Sequence, residues 1–418
     1  MCSDFMLLDG IRTIDSLELK NSRLLLRLDL NSPVDRKTGK IESTGKIVAA
    51  ARTLDELLSR GAAVAILAHQ GRPGDYDFIS LKEHCDILRE ATRKNISFVE
   101  DICGETALRF ISELRSGEAI LLDNVRRLDY EQKSLSAEEH AGRELVVKLS
   151  PHFDYFVNDA FAAIHRPHCS VTGFTFTLPS AAGRLMEDEL SHISILLDNP
   201  SRPSVYVFGG KKFSDFLPVL RSVASDRNVD AILLTGMLSI AFLFSTGVKM
   251  DERVSAELLK EADEHFIGEA RHLLSSSEKI RLPSDLAFNV GGQRIEADTS
   301  RWPAGCEAWD IGAETISAYT GILKQARTVF ISGPAGVYEH EGFDTGTRAI
   351  FEAGGGNGKY SVIGGGHTAA AASQLGYSGT FSYVSTGGGA LEALLSRQPL
   401  TVLEDLRKSA LKFKDRFK

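Results

Sequence analysis

Arg27, Asp29 and Asn31 stand at alternate positions in "SRLLLRLDLNSP" (22–33). Side chains alternate along a strand, so the three are expected on one face. Further basic groups follow the next apolar runs: His69, Gly71 and Arg72 in "AHQGR", then Arg126 and Arg127, then His165, Arg166 and His168. Arginine offers a planar fork that holds phosphate or carboxylate through two hydrogen bonds. Taken singly, each of these groups reads as one half of a surface ion pair. Set at the ends of successive strands they converge, and they predict a site for a small, strongly anionic molecule. An aspartate among arginines can accept from a substrate hydroxyl while the cations hold its acidic ends.

The second half offers different chemistry. "FGGKKFSDF" (208–216), "SGPAGVYEHEGF" (332–343), "GGGHTAAAA" (364–372) and "STGGGALEALL" (385–395) each set glycines beside a strand end or a helix start. Glycine lets backbone N–H groups approach a phosphate, and a following helix N-terminus favours the negative charge. Any one of these is a tight turn under close helix–sheet packing. Together they fit a nucleotide cradle, with Lys212 adding a point charge. An anion site in one half and a nucleotide site in the other point to phosphoryl transfer, which depends on positioning and charge stabilisation.

"IESTGKIVAAARTL" (41–54) imitates a phosphate-binding loop and fails as one. Five residues separate Gly39 from Gly45 where four are required, and Ile47 stands where a magnesium-binding hydroxyl belongs. The residues alone predict a turn and an amphipathic helix, with Lys46 in its first turn.

These groups need a scaffold. Strand-like runs at 22–30, 62–70, 118–125 and 154–161 alternate with helical patterns such as 50–60 and 136–150. The pattern resumes at 203–210, 229–236, 327–334, 359–366 and 381–389. Such alternation predicts parallel sheets covered by helices, an α/β fold with ligands beyond the carboxyl ends of the strands. At 418 residues the chain exceeds one core, which stops growing at roughly 250–300 residues, so two domains are expected. The boundary is placed in the charged helical stretch and Pro-rich turn of 186–204: an N-terminal domain 1–186, a linker 187–203, a C-terminal domain 204–396 and a tail 397–418.

The net charge of −8 disfavours a general nucleic-acid binder. Five scattered cysteines without CxxC spacing suit reduced thiols, not a disulfide framework or zinc site. The N-terminus has no early cationic cluster, so a signal peptide is not expected and a cytoplasmic setting is. The uncharged run 231–248 is divided by Thr235-Gly236 and reads as a buried strand, turn and helix, not a membrane span.

In order along the chain, "RLDLNSP", "AHQGRPG", "LLDNVR", "NDAFAAIHRPHCS", "GGKKFSD", "SGPAGVYE", "GGGHT" and "STGGGA" resemble the motifs of the phosphoglycerate kinases, particularly the archaeal branch. The resemblance implies two Rossmann-like domains facing each other across a hinged cleft, with the tail packing back on the first. It implies reversible transfer between 1,3-bisphosphoglycerate with ADP and 3-phosphoglycerate with ATP, with Mg2+, in glycolysis and gluconeogenesis, by a monomer or homodimer. Arg27, Asp29, Asn31, Lys46, His69, Gly71, Arg72, Arg126 and Arg166 would then hold phosphoglycerate. Lys46, Lys212, Gly365 and Gly366 would serve the phosphoryl group in flight. Gly209, Gly210, Gly236, Pro334, Gly336, Val337, Gly364, His367 and Thr368 would line the nucleotide, and Glu339 would take the ribose.

Departures from the family pattern accompany it. Lys46 stands where the family has a catalytic arginine, Lys211 for a small residue, Met237 for a glycine, Ser332 for an asparagine and Ala335 for a methionine. Arg127 replaces an aromatic residue and Asp123 a glutamate; His367 stands where many members have a magnesium-linked aspartate, so no metal ligand is named. These substitutions motivate an alternative, a catalytically weak relative that senses phosphoglycerate or nucleotide. A Rossmann dehydrogenase is excluded for want of a GxGxxG opening the first helix.

Overall fold

The computed structural model describes residues 7–210, 216–356 and 358–418; Lys211 and Lys212 lie outside the described residues. Residues up to Ser191 together with Pro399–Lys418 form one compact unit, and His192–Gln398 form another. The division falls inside the helix Arg184–Asp198.

In the first unit, strands β1 (Arg23–Arg27), β2 (Ala63–Leu67), β3 (Ile96–Val99), β4 (Ala119–Leu122), β5 (Tyr155–Asn158) and β6 (Ser180–Ala182) form one parallel sheet in the order β3-β4-β2-β1-β5-β6. Its strands are near-continuous apolar runs because both faces are covered. Leu24 and Leu26 pack with Ile47, Leu54 and Leu57 of the helix Gly45–Ser59. Leu25 and Leu67, on the other face, pack with Val146, Phe156 and Phe174. The helix Thr401–Lys412 docks on this unit: Ser409 Oγ donates to Leu178 O at 3.0 Å and accepts from Ser180 N–H at 3.0 Å. The Thr172 hydroxyl donates to buried Asp405 on the same helix.

The second unit begins its sheet with β7 (Ser204–Phe208), β8 (Ala231–Leu234) and β9 (Ile280–Arg281). An antiparallel sheet follows, of β10 (Asp285–Val290), β11 (Gln293–Asp298) and β12 (Glu307–Ile311) in the order β11-β10-β12. The parallel sheet is completed by β13 (Thr328–Ser332), β14 (Tyr360–Gly364) and β15 (Tyr383–Val384), giving β15-β14-β13-β7-β8-β9. The uncharged run from 231 is β8 and the helix Gly236–Ser245, whose Leu238 and Phe242 are fully buried. Among the described residues, no helix is long and apolar enough to cross a membrane.

Local departures from the sequence expectations have physical causes. The helix expected over 136–150 is two short ones, Ala137–Ala141 and Glu144–Leu149, parted at Gly142. The strand expected over 381–389 is only two residues long, since a glycine triplet carries the chain into the next helix. β1 stops at Arg27, so Asp29 and Asn31 lie in the loop beyond it and strand alternation does not align the three.

Candidate active site

The first unit gathers its cations where β1, β2, β4 and β5 end. Arg27, the last residue of β1, is buried. Its Nε donates to Ser170 Oγ at 2.9 Å, one Nη donates to Leu28 O, and the other meets His69 Nδ1 at 2.9 Å. Ser170 lies in the first turn of the helix Cys169–Thr177 and donates from its hydroxyl (2.6 Å) and its N–H (2.9 Å) to the buried carboxylate of Glu131. Glu131 was not singled out in the sequence, because no spacing ties "DYEQK" to a distant arginine.

Asn31 and Gly71 hold two loops together: Gly71 N–H donates to Asn31 Oδ1 at 2.9 Å, while Gly71 O accepts from Arg126 Nη1. Gly71 has φ +64° and its missing Cβ would lie 2.4 Å from the Asp77 carbonyl, so this close loop requires glycine. Asn124 clamps the same corner, accepting from Gln70 N–H and Arg126 N–H and donating to the carbonyls of Gln70 and Ile79. Asp29 Oδ1 accepts from Asn31 N–H at 3.2 Å and Oδ2 faces Lys46 Nζ at 3.2 Å.

The charges reinforce one another. Burial first, and then the Arg27 and Arg166 cations, lower Arg126 to about 10. Burial, then Arg126 and Arg27, lower His168 to about 3. His69 is held well below the usual imidazole range by burial, then by Arg27, Arg126, His168 and Lys46. Arg126 Nε and His165 Nδ1 are buried without a hydrogen-bond partner among the described residues. Cations packed this closely, with Glu131 and Asp29 opposing them at Arg27, are stabilised by an arriving anion. Arg72 is exposed and Arg166 half-buried, and both lie in loops outside the strands and helices. Arg127 is set apart from this cluster by its pairing with Asp123, Nε to Oδ2 3.1 Å.

In the second unit β7, β8, β13 and β14 run into glycine-bearing turns laced through their backbones. Gly209 N–H donates to Ser332 O (2.7 Å), Gly210 N–H to Pro334 O (3.1 Å) and Met237 N–H to Gly210 O (3.1 Å). Gly333, at φ +94°, would set a Cβ 2.2 Å from the Gly209 carbonyl. Gly365 precedes the nine-residue helix Gly366–Gln374, and a Cβ on Gly366 would meet nothing within 4 Å. Gly366, His367 and Thr368 open this helix, whose first N–H groups have no acceptor within the helix, an arrangement that favours phosphate. Thr368 is buried and its Oγ1 accepts from Gly333 N–H at 2.7 Å, so it braces the turn. His367 and Glu339 are exposed. Gly336 N–H reaches Thr347 Oγ1 at 3.3 Å and Val337 N–H reaches Trp309 O at 2.8 Å.

A basic pocket at parallel-strand ends in one unit and a glycine-lined helix start in the other are the parts of a phosphoryl-transfer enzyme. The family model described as phosphoglycerate kinase matches residues 14–398. The chain belongs to the phosphoglycerate kinase family. It is similar to the phosphoglycerate kinase of Methanobacterium bryantii, with 39% identity over 96% of this chain and 98% of that one. The Methanopyrus kandleri phosphoglycerate kinase is 41% identical over 95% of this chain and 97% of its own. The crystal structure of phosphoglycerate kinase from Pyrococcus horikoshii OT3 superposes with a TM-score of 0.90 at 34% identity, covering 96% of this chain and all of that one. As a phosphoglycerate kinase the chain is a phosphotransferase with small-molecule substrates. Nothing in these likenesses favours the sensor alternative.

Proposed function

We propose that this phosphoglycerate kinase moves a phosphoryl group reversibly between 1,3-bisphosphoglycerate with ADP and 3-phosphoglycerate with ATP, as a step of glycolysis and gluconeogenesis in the cytoplasm. The reading is carried by the gathering of Arg27, Arg126, Arg166 and Lys46 around the buried imidazoles of His69 and His168. The phosphoglycerate is held by Arg72, Arg126 and Arg166, with Asp29 and Asn31 at the sugar-acid hydroxyl and His69 as a neutral donor. The nucleotide lies along Gly209, Gly210, Gly236, Pro334, Gly336, Val337 and the Gly364–Thr368 turn, with Glu339 at the ribose. Lys46, the Gly365 and Gly366 N–H groups and Lys212, which lies outside the described residues, offset the charge on the moving phosphoryl. Residues 187–203 serve as the linker between an N-terminal phosphoglycerate domain and a C-terminal nucleotide domain.

Among the described residues, no group of three His, Cys, Asp or Glu side chains could hold a metal ion. Mg2+ would arrive with the nucleotide and supply charge neutralisation at its phosphates. A coupled assay with 3-phosphoglycerate and MgATP tests the activity. Turnover at background with both substrates saturating, despite measurable binding of each, would reinstate the sensor reading.

A further inference from the structure

In the reading above His69 would meet phosphoglycerate through one ring nitrogen, and the other is already assigned. Nδ1 lies 2.9 Å from an Nη of Arg27. A guanidinium has donors only, so Nδ1 must accept and the ring proton must sit on Nε2. Arg27 cannot turn away, because its Nε is spent on Ser170 Oγ at 2.9 Å and its remaining Nη on Leu28 O. Ser170 Oγ is in turn committed as an acceptor toward Arg27, since its own proton goes to Glu131 Oε1 at 2.6 Å. Glu131 is anchored by a second bond, from Ser170 N–H to Oε2 at 2.9 Å. Every member of the series is buried.

We propose that Glu131 and Ser170 are positioning residues that act through Arg27 to lock His69 as the neutral Nε2–H tautomer, presenting a donor to the phosphoglycerate. Neither touches the substrate. The alternative tautomer would turn an acceptor lone pair toward an anion, and a histidine charged in the free enzyme would bind acids with less discrimination. The relay thus selects ligands with an acceptor oxygen at that point. It rests on the phosphoglycerate site proposed above.

The test uses the full chain labelled with 15N-histidine, with His69 assigned by comparison with His69→Gln. At pH 8, where Glu131 is ionised, the wild type should show an unprotonated Nδ1 and a protonated Nε2. Ser170→Ala removes the acceptor of Arg27 Nε; it should give a mixture of tautomers and raise KM for 3-phosphoglycerate by about tenfold, with KM for ATP unchanged. Glu131→Gln keeps the shape of the side chain and should move both readings the same way. If Ser170→Ala does not fold, the wild-type spectrum and Glu131→Gln carry the test. A wild type that binds 3-phosphoglycerate yet carries its proton on Nδ1 overturns the relay alone. Variants with the wild-type tautomer and KM also overturn it. A wild type that binds no 3-phosphoglycerate overturns the relay together with the site it serves.

Discussion

Lys46 Nζ stands 3.2 Å from Asp29 Oδ2, joining the first turn of the helix Gly45–Ser59 to the loop that follows β1. Asp29 is buried in that contact while Lys46 keeps 38% of its side-chain surface exposed. A cation in a helix's first turn is disfavoured by the macrodipole. Its partner here is a carboxylate that, with Glu131, faces buried Arg27, which places the ammonium beside the cationic cluster and within reach of solvent.

Lys46→Ala should therefore lower kcat a hundredfold or more, in line with about 2.7–4 kcal/mol for a lost transition-state donor, without a lower melting temperature. Lys46→Arg should retain or raise kcat, since a guanidinium can contact two phosphoryl oxygens. Steady-state kinetics beside thermal melts of both variants check this; a fully active alanine variant would remove Lys46 from the mechanism.

Arg72→Ala and Arg166→Ala should each weaken 3-phosphoglycerate binding by about 1.5–3 kcal/mol, the worth of a charge-assisted hydrogen bond. ADP binding should be nearly unchanged, because both residues belong to the first unit. Calorimetry with each ligand is the measurement. Equal losses for the two ligands would contradict the assignment of one ligand to each unit.

Two glycines of the nucleotide side should fail in different ways. Gly333→Ala puts a methyl against the Gly209 backbone at positive φ, so it should cost at least about 1–3 kcal/mol and lower the melting temperature. Gly366→Ala meets nothing in the protein, so it should melt normally yet raise KM for ATP, the methyl standing where a phosphate approaches. A normal KM in Gly366→Ala would move the phosphates elsewhere.

Burial pushes Asp159 up to about 7 against a usual 3.8, opposed by the Thr53 hydroxyl and the N–H groups of Met186 and Leu185. The folded protein thus keeps a proton that the unfolded chain loses above about pH 4, and Asp159 subtracts stability as pH rises from about 4 to 7. Glu131, raised to about 7 by burial with Arg27 opposing, acts in the same sense. His84, lowered by burial to about 4, and His168 act oppositely. Asp159→Asn isolates the first contribution. Its stability relative to wild type, from urea unfolding at a series of pH values, should grow by a few kcal/mol between pH 4 and 7 and then level off. A difference independent of pH would show that Asp159 is not the group titrating.

If magnesium comes and goes with the nucleotide, chelation should abolish transfer and leave the melting temperature of the ligand-free protein unchanged. A lower melting temperature with chelator would reveal a resident ion.

Most parallel strands were legible because they are apolar runs ended by a basic or glycine-bearing turn, and those same turns carry the candidate site; β3, β6 and β9 were not read as strands, β6 and β9 being only three and two residues long and β3 running into acidic Glu100-Asp101. The hairpin of β10 and β11 went unread although its signal was present: "DLAFNV" and "QRIEAD" are separated by two glycines, Gly291 and Gly292. Glu131 and Ser170 were out of reach for a deeper reason. A buried carboxylate that serves an arginine 104 positions away leaves no local period or motif, only a contact that the finished fold creates. Arg127 shows the converse, a cation legible by type that a neighbouring aspartate diverts.

The helix Thr401–Lys412 lies in the segment Pro399–Lys418, which completes a unit otherwise made of residues before His192. On the ribosome, residues 192–398 are therefore made before the first unit receives its last helix. Until then Thr172, Leu178 and Ser180 lack their partners Asp405 and Ser409, and the helix Cys169–Thr177, which also carries Ser170, stands with that flank uncovered. Nascent chains of this protein should thus keep that flank of the earlier-encoded unit open to chaperones or proteases until Thr401–Lys412 has docked.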